Sequence, residues 1–286
     1  MHGSTQRYDM RKARLGIGGS PTLQAGIVLA GFFLFIAVFA DIIASGSTSH
    51  IDIPNAFLRP SWEHVFGTDN FGRDIFRRVV HGTRISLVIG LATTSLTGLI
   101  GTAIGVLAGF YRTLDGILMR FMDALNAFPS VMLAIGIAAA LGAGPLNIVI
   151  ALTAVYIPGT ARLVRSSTLL LREADFVLAA RALGAGPFRI IFVHILMNIL
   201  TPLLVQLTFV FAYAILAESA LSFLGLGLPI PAPSLGNIIS DGRDYLREAP
   251  WICLFPGLTL SLAVFSLNFL GDGLRDLLDP QLHVSP

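Results

Sequence analysis

EADFVLAARALGAGPFRIIFVHILMN, Glu173 to Asn198, is the polar break in an otherwise apolar chain. With Arg172 just before it, the stretch carries Glu173, Asp175, Arg181, Arg189 and His194, a set of charges too costly to place in hydrocarbon. It therefore lies in water or at a membrane interface. Inside it Phe176, Ala179, Ala180 and Leu183 recur at i, i+3, i+4 and i+7, the spacing of a short helix with one apolar face. Gly184 and Gly186 offer left-handed positions to end that helix, and Pro187 starts the next one. The stretch reads as helix, sharp turn, helix.

Working outward, composition sets the class. Of 286 residues, 54% are hydrophobic and 13% charged, against roughly 25% charged in soluble domains. This is the composition of an integral membrane protein. The formal net charge of +2 makes no case for nucleic acid, and a single cysteine, Cys253, excludes an internal disulfide or a thiolate metal cluster. Apolar runs at Leu23–Ala44, Ile85–Phe110, Ile117–Leu141, Leu146–Leu170, Ile195–Phe223 and Trp251–Leu274 each approach or exceed the roughly 20 residues that a helix needs to span. They predict an all-α polytopic protein with about six transmembrane helices. The first run is longer than the roughly 7 to 15 residues of a signal-peptide core, so it reads as a span.

Basic residues orient the spans. With the N-terminus inside, Arg7, Arg11, Lys12, Arg14, Arg112, Arg120, Arg162, Arg165, Arg172, Arg181, Arg189 and Arg275 fall on the cytoplasmic side. Arg59, Arg73, Arg77, Arg78, Arg84, Arg243 and Arg247 fall outside, and the imbalance favours cytoplasmic termini. The expected layout is a cytoplasmic tail over 1–22, a first span over 23–44, and an external loop over 45–82. A transmembrane core over 83–274 then carries a cytoplasmic loop at 172–194 and an external loop at 224–250, before a cytoplasmic tail at 275–286.

Polar residues inside this layout are the candidate functional positions. In the first external loop Thr68 or Asp69 is placed to cap a surface helix, with Phe71, Ile75, Phe76, Val79 and Val80 on a greasy side and Arg73, Asp74, Arg77 and Arg78 on a wet one. Gly98, Gly101, Gly105 and Gly109 form a small-residue ridge for close helix packing, within the chain or against another subunit. Arg120, Asp123 and Asn126 share a helix face one turn before Pro129, as a pathway gate or as an interfacial salt bridge. Glu218 stands near an external end, where it shapes the pathway or pairs with Arg84 or Arg243, and Asp41 belongs to the interface. Pro229, Pro231 and Pro233 forbid a continuing helix, and Gly236 to Tyr245 is a short outer helix or re-entrant piece.

What is missing matters too. Lys12 stands in DMRKARLG, so there is no GxxxxGK[ST] phosphate loop. There is no HExxH and no GxSxG, and His2, His50, His64, His81, His194 and His283 are scattered. The chain therefore offers no phosphate loop to cradle ATP and no hydrolase or zinc-protease motif.

Several motifs resemble one family. Ala179, Ala180 and Gly184, followed by Ile195 and Leu196, are similar to the loop by which permease subunits of binding-protein-dependent ABC importers dock an ATPase. Leu178 stands where that motif usually has glutamate, and Met197 where it usually has proline. Gly67, Thr68, Asp69, Gly72, Arg73, Asp74, Gly82, Arg84 and Ser86 resemble a signature of the dipeptide, oligopeptide and nickel branch, with Arg77 departing from the usual small residue. Ser222 to Gly227, Ser234, Gly236, Asp241, Gly242, Arg243, Pro250, Trp251, Phe255, Pro256 and Gly257 resemble the same branch. So does the tail from Gly271 to Pro280, which would end the last helix.

The resemblance implies a type I importer permease fold, a C-type subunit of a peptide importer in the bacterial plasma (inner) membrane, and no cofactor of its own. It implies ATP and Mg on two partner ATPase subunits or domains, a second non-identical permease, and an external substrate-binding protein. Glu173, Phe176, Leu178, Ala179, Ala180, Arg181, Leu183, Gly184 and Pro187 would form the short cytoplasmic coupling helix and its turn. Asp123, Asn126 and Glu218 would belong to the pathway or gate, and Arg73, Asp74, Asp241 and Arg243 to the external entrance or receptor contact. Dipeptides or oligopeptides are the expected cargo, with nickel chelates, glutathione or haem as alternatives. A secondary carrier or channel working alone is the competing class, and it calls for paired intramembrane carboxylates or an inverted repeat. An ordinary amphipathic loop remains the other reading of 173–198.

Overall fold

Proline, glycine and charge cut the apolar chain into the helices of the computed structural model, which describes residues 21–229 and 231–278. Helix α1 (Pro21–Val38) passes through Phe39 into a single turn, α2 (Ala40–Ile43). Helix α3 (Ile75–Phe110) is the longest at 36 residues. Helices α4 (Arg112–Asn126) and α5 (Ser130–Leu141) come next, then α6 (Pro145–Arg172) and the short α7 (Asp175–Ala182). A turn, α8 (Pro187–Arg189), runs through a π-helical stretch at Ile190–Ile195 into α9 (Leu196–Phe223). The chain closes with α10 (Leu235–Gly242) and α11 (Trp251–Leu278). There are no strands among the described residues.

Among the described residues five helices are long and apolar enough to cross a membrane, and six spans result when α4 and α5 count as one broken crossing. That pair corrects the expected third span. The two helices meet at 89° instead of forming one bent rod. The break arises from Pro129, whose ring has no N–H and disfavours helical backbone at Phe128. It also separates the charged α4, with Arg112, Asp115, Arg120 and Asp123, from the uncharged α5.

The centre of the bundle is the α3–α6 pair, and glycine explains its closeness. A Cβ at Gly105 would stand 2.6 Å from the Ala161 carbonyl oxygen, and one at Gly109 would stand 2.6 Å from Thr168 Cβ. Gly101 faces Thr160 in the same way, while Gly98 faces Leu207 of α9. The small-residue ridge therefore packs inside this chain, which settles the alternative left open by sequence.

Two further expectations change. The surface helix capped by Thr68 or Asp69 does not form as a separate element, because α3 starts at Ile75 and runs unbroken to Phe110. Its cap is Asp74, whose Oδ1 accepts from the Arg77 N–H at 2.9 Å. At the other end α11 does not stop at its glycines. Gly271 admits Thr208 and Gly273 admits Leu23 against the helix backbone, so both serve packing, and the helix continues to Leu278. The tails at 1–20 and 279–286, with Asp279 and Pro280, lie outside the described residues.

Candidate functional site

The link between α6 and α9 is built around one inward residue. Val177 is fully buried, in a cluster with Val106, Val164, Ile190, Ile195 and Ile199 from four surrounding segments. At about 25 cal/mol per Å² of apolar surface, a buried valine contributes roughly 1.5 kcal/mol or more to holding α7 on the bundle. The stripe read from sequence faces the other way. Phe176 is 45% exposed and Leu183 89%, and Leu178, Ala179 and Arg181 are exposed too. The helical period was legible but its phase was not, since the i+3/i+4 pattern does not say which apolar row meets the core.

The turn after α7 is held by backbone. Gly184 has φ +86°, where a side chain is strained. Its N–H donates to the Arg181 carbonyl and the Ala185 N–H to the Ala180 carbonyl, both at 3.0 Å, the pair of bonds of a Schellman motif. Pro187 then opens α8 with its fixed φ. Upstream, Glu173 caps α6 through its own N–H, and Arg172 fastens that end to α3 through the Gly109 carbonyl at 3.1 Å. Phe188 is 79% exposed and stacks on Phe192 with centroids 5.4 Å apart. The result is a rigidly anchored ridge of exposed apolar side chains, with Asp175, Arg181 and Arg189 around it.

The second group of candidates resolves into pairs. Arg162 of α6 donates to Asp123 at 2.9 Å. With its amide oriented so that the carbonyl faces the same guanidinium, Asn126 accepts from it at 2.7 and 2.9 Å. The expected shared face of Asp123 and Asn126 is real, and the ion pair is its immediate role. Arg165 holds Asp115 through two bonds of 2.5 and 2.7 Å, a pairing across 50 positions that local spacing does not reveal.

Glu218 corrects its expected partner. It is fully buried and takes no arginine; Ser86 donates to Oε2 at 2.6 Å and Ser222 to Oε1 at 2.7 Å. Arg84 is instead engaged by Asp41 at 2.9 Å. Hydroxyls satisfy this carboxylate because the close α3–α9 contact admits small serines and excludes a longer cation. Ser86 and Ser222 had appeared in the sequence only as motif letters.

The four external candidates do not form one surface. Arg73 is 6% exposed, bound to Asp69 at 2.6 Å and Asp241 at 2.9 Å, so it is not displayed to a receptor. Asp74 caps α3 and pairs with His64 at 2.8 Å. Arg243 stays exposed, 5.9 Å from the centre of the Phe223 ring. The expected outer helix is α10, with the Ser234 hydroxyl accepting from the Asn237 N–H.

Residues 101–284 match the family described as binding-protein-dependent transport system inner membrane component. The chain belongs to that family. It is thus a multi-pass permease subunit of an ABC importer, a transport component. Among relatives of this permease, a protein of Brucella suis biovar 1 assigned to a peptide transport system as permease is 52% identical, covering 92% of this chain and 89% of that one. The dipeptide transport system permease protein of Alkalihalophilus pseudofirmus is 46% identical, over 90% of this chain and 85% of that one. Among solved structures, an inward-facing form of the MetNI methionine ABC transporter aligns with TM-score 0.56 and 20% identity, covering 72% of this permease and 98% of that chain. That likeness speaks for the fold alone.

Proposed function

We propose that this permease forms half of an ATP-driven path for dipeptides or oligopeptides, beside a second, non-identical permease. Two ATPase subunits would hydrolyse ATP with Mg, and an external binding protein would deliver the solute. The observation that carries the coupling role is the α7 ridge, pinned by buried Val177 and presenting exposed Phe176, Leu178 and Leu183. Exposed apolar rows flanked by charge are the composition of a docking face. Because α7 is wedged between the ends of α6 and α9, force applied to the ridge moves two spans at once. Leu178 gives this ridge an apolar contact where a glutamate is usual, so docking here relies more on burial than on charge. The peptide class rests on what the relatives are named for, and cytoplasmic placement of the ridge on the distribution of arginines.

The test separates anchor from docking face. Leu183→Asp, or a bulky residue at Ala180, should leave the chain in the membrane while reducing ATPase co-purification and peptide uptake. Normal uptake together with normal ATPase binding in those variants would refute the reading.

A further inference from the structure

Helix α1 packs on the bundle along one side, with Leu23, Gly26, Phe33 and Ala37 buried. Near its start the backbone of Leu270 would stand 2.5 Å from a Cβ at Gly26, and Leu23 rests on Gly273. Beyond its far end Ala40 and Ala44 are buried with Val80. Beside this packed side, with Phe33 and Ala37 among its lining, lies a groove of about 650 Å³, inside the roughly 300–1,000 Å³ range of small-molecule sites. Ile27, Gly31, Leu34 and Val38 line it from α1 at i, i+4, i+7 and i+11, and Leu91 lines it from α3. Its floor includes the buried Ala263 and Leu267 of α11.

The groove opens toward hydrocarbon, because α1 and α3 both have the length and hydropathy of spans and its walls are exposed, Leu34 at 62% and Leu91 at 58%. From Ile27 to Val38 the helix rises roughly 16 Å at 1.5 Å per residue. That is about half of the ~30 Å hydrocarbon core, the depth of one leaflet. A single acyl chain matches this length.

The mouth of the groove carries charge of both signs. Arg84 lines the groove and donates from Nη1 to Asp41 Oδ2 at 2.9 Å, with side chains 44% and 71% exposed. Asp41 comes less than one turn after Val38, so the pair sits where acyl chain gives way to headgroup. A guanidinium beside a carboxylate complements a phosphate beside an ammonium that has N–H bonds to donate. A choline headgroup lacks those donors, and a purely anionic headgroup meets Asp41.

We propose that the α1–α3 groove, with Arg84 and Asp41 at its mouth, binds one phospholipid of the phosphatidylethanolamine class. This rests on α1 and α3 lying in the membrane and is independent of the transported solute.

Gly31 makes the site testable, because it lines the groove and a Cβ there meets nothing within 4 Å, so side chains of increasing size take up groove volume. The full-length chain in its assembled transporter would be purified from a phosphatidylethanolamine-containing membrane, stripped of bulk lipid, and its retained lipids quantified by mass spectrometry. Phosphatidylethanolamine should survive stripping in the native protein and in Gly31→Ala. Gly31→Phe should lower its retention roughly tenfold, equivalent to about 1.4 kcal/mol. Asp41→Asn should shift retention toward phosphatidylglycerol. No retained phosphatidylethanolamine in the native transporter, as when a neighbouring subunit's helix fills the groove, would overturn the proposal. So would equal retention in Gly31→Phe. If that variant does not accumulate, Arg84→Gln decides: undiminished retention there overturns the site, and loss supports it.

Discussion

Arg78 donates from Nη1 to Asp69 Oδ2 at 2.7 Å, with the two side chains 2% and 0% exposed. Arg73 bonds the same oxygen at 2.6 Å, and Asp241 takes the second arm of each guanidinium at 2.9 and 3.1 Å. Two arginines and two aspartates thus sum to zero charge and tie the segment before α3 to α10. Removing Asp69 leaves two buried guanidiniums short of a counter-ion, which costs about 3–5 kcal/mol for a broken buried pair. Asp69→Ala should therefore sharply lower thermal stability. Asp241→Asn should cost less, because Asp241 is 28% exposed and water replaces part of what is lost. Melting curves of the two variants check the order, and equal shifts would contradict it.

At Glu218 the same logic runs through hydroxyls. Ser86, Ser219 and Ser222 all donate to one carboxylate, joining α3 to α9. Glu218→Leu would strand these donors, each orphaned buried group costing about 1–3 kcal/mol. Glu218→Gln keeps shape and one acceptor oxygen, so its loss should be smaller. Thermal unfolding of the leucine and glutamine variants tests this, and a leucine variant as stable as the native chain would show that the cluster holds nothing together.

The α3–α6 contact predicts an unusually severe effect from one methyl group. In an open helix Gly→Ala is favourable by roughly 1 kcal/mol. At Gly105 the added Cβ would meet the Ala161 carbonyl oxygen at 2.6 Å, and Val164 as well, so the helices must separate. Gly105→Ala should reduce the amount of folded protein in the membrane. Gly116→Ala, where a Cβ meets nothing within 4 Å, should not. Fluorescence-detected chromatography of both variants checks the contrast.

How much of this was legible depends on where each signal lives. Apolar runs are local, so the spans and the helix–turn–helix of 173–198 could be read along the chain. Phase and partnership are not local. Val177, rather than Phe176 or Leu183, turns inward because Ile190 and Ile195 come back beneath it after the Gly184 turn. Arg73 and Arg78 read as wet because their burial depends on Asp241, 168 and 163 positions away, closing over a pairing with Asp69 that is local. Glu218 seemed to need an arginine because serines carry no visible charge, and Ser86 stands 132 positions from it in sequence. Pro129 announces a bend, but proline alone does not specify its 89°, and the arginines that hold α4, Arg162 and Arg165, stand 39 and 50 positions from their partners in sequence.

Those two arginines provide the sharpest test of the polar candidates. Arg165 grips Asp115 through two bonds, with side chains 34% and 25% exposed, whereas Arg162 holds Asp123 through one, at 46% and 65%. Bidentate geometry and partial shielding strengthen the first pair, while an exposed single contact is worth at most about 1 kcal/mol. Asp115→Ala should therefore loosen α4 from α6 and lower stability, and the swap Asp115→Arg with Arg165→Asp should recover part of it. Asp123→Ala should melt close to the native temperature. Its stability being spared, peptide uptake by reconstituted transporter then isolates function. Uptake that falls in Asp123→Ala would assign the Asp123–Arg162 contact to gating, and uptake that persists would leave it a tether between two helices.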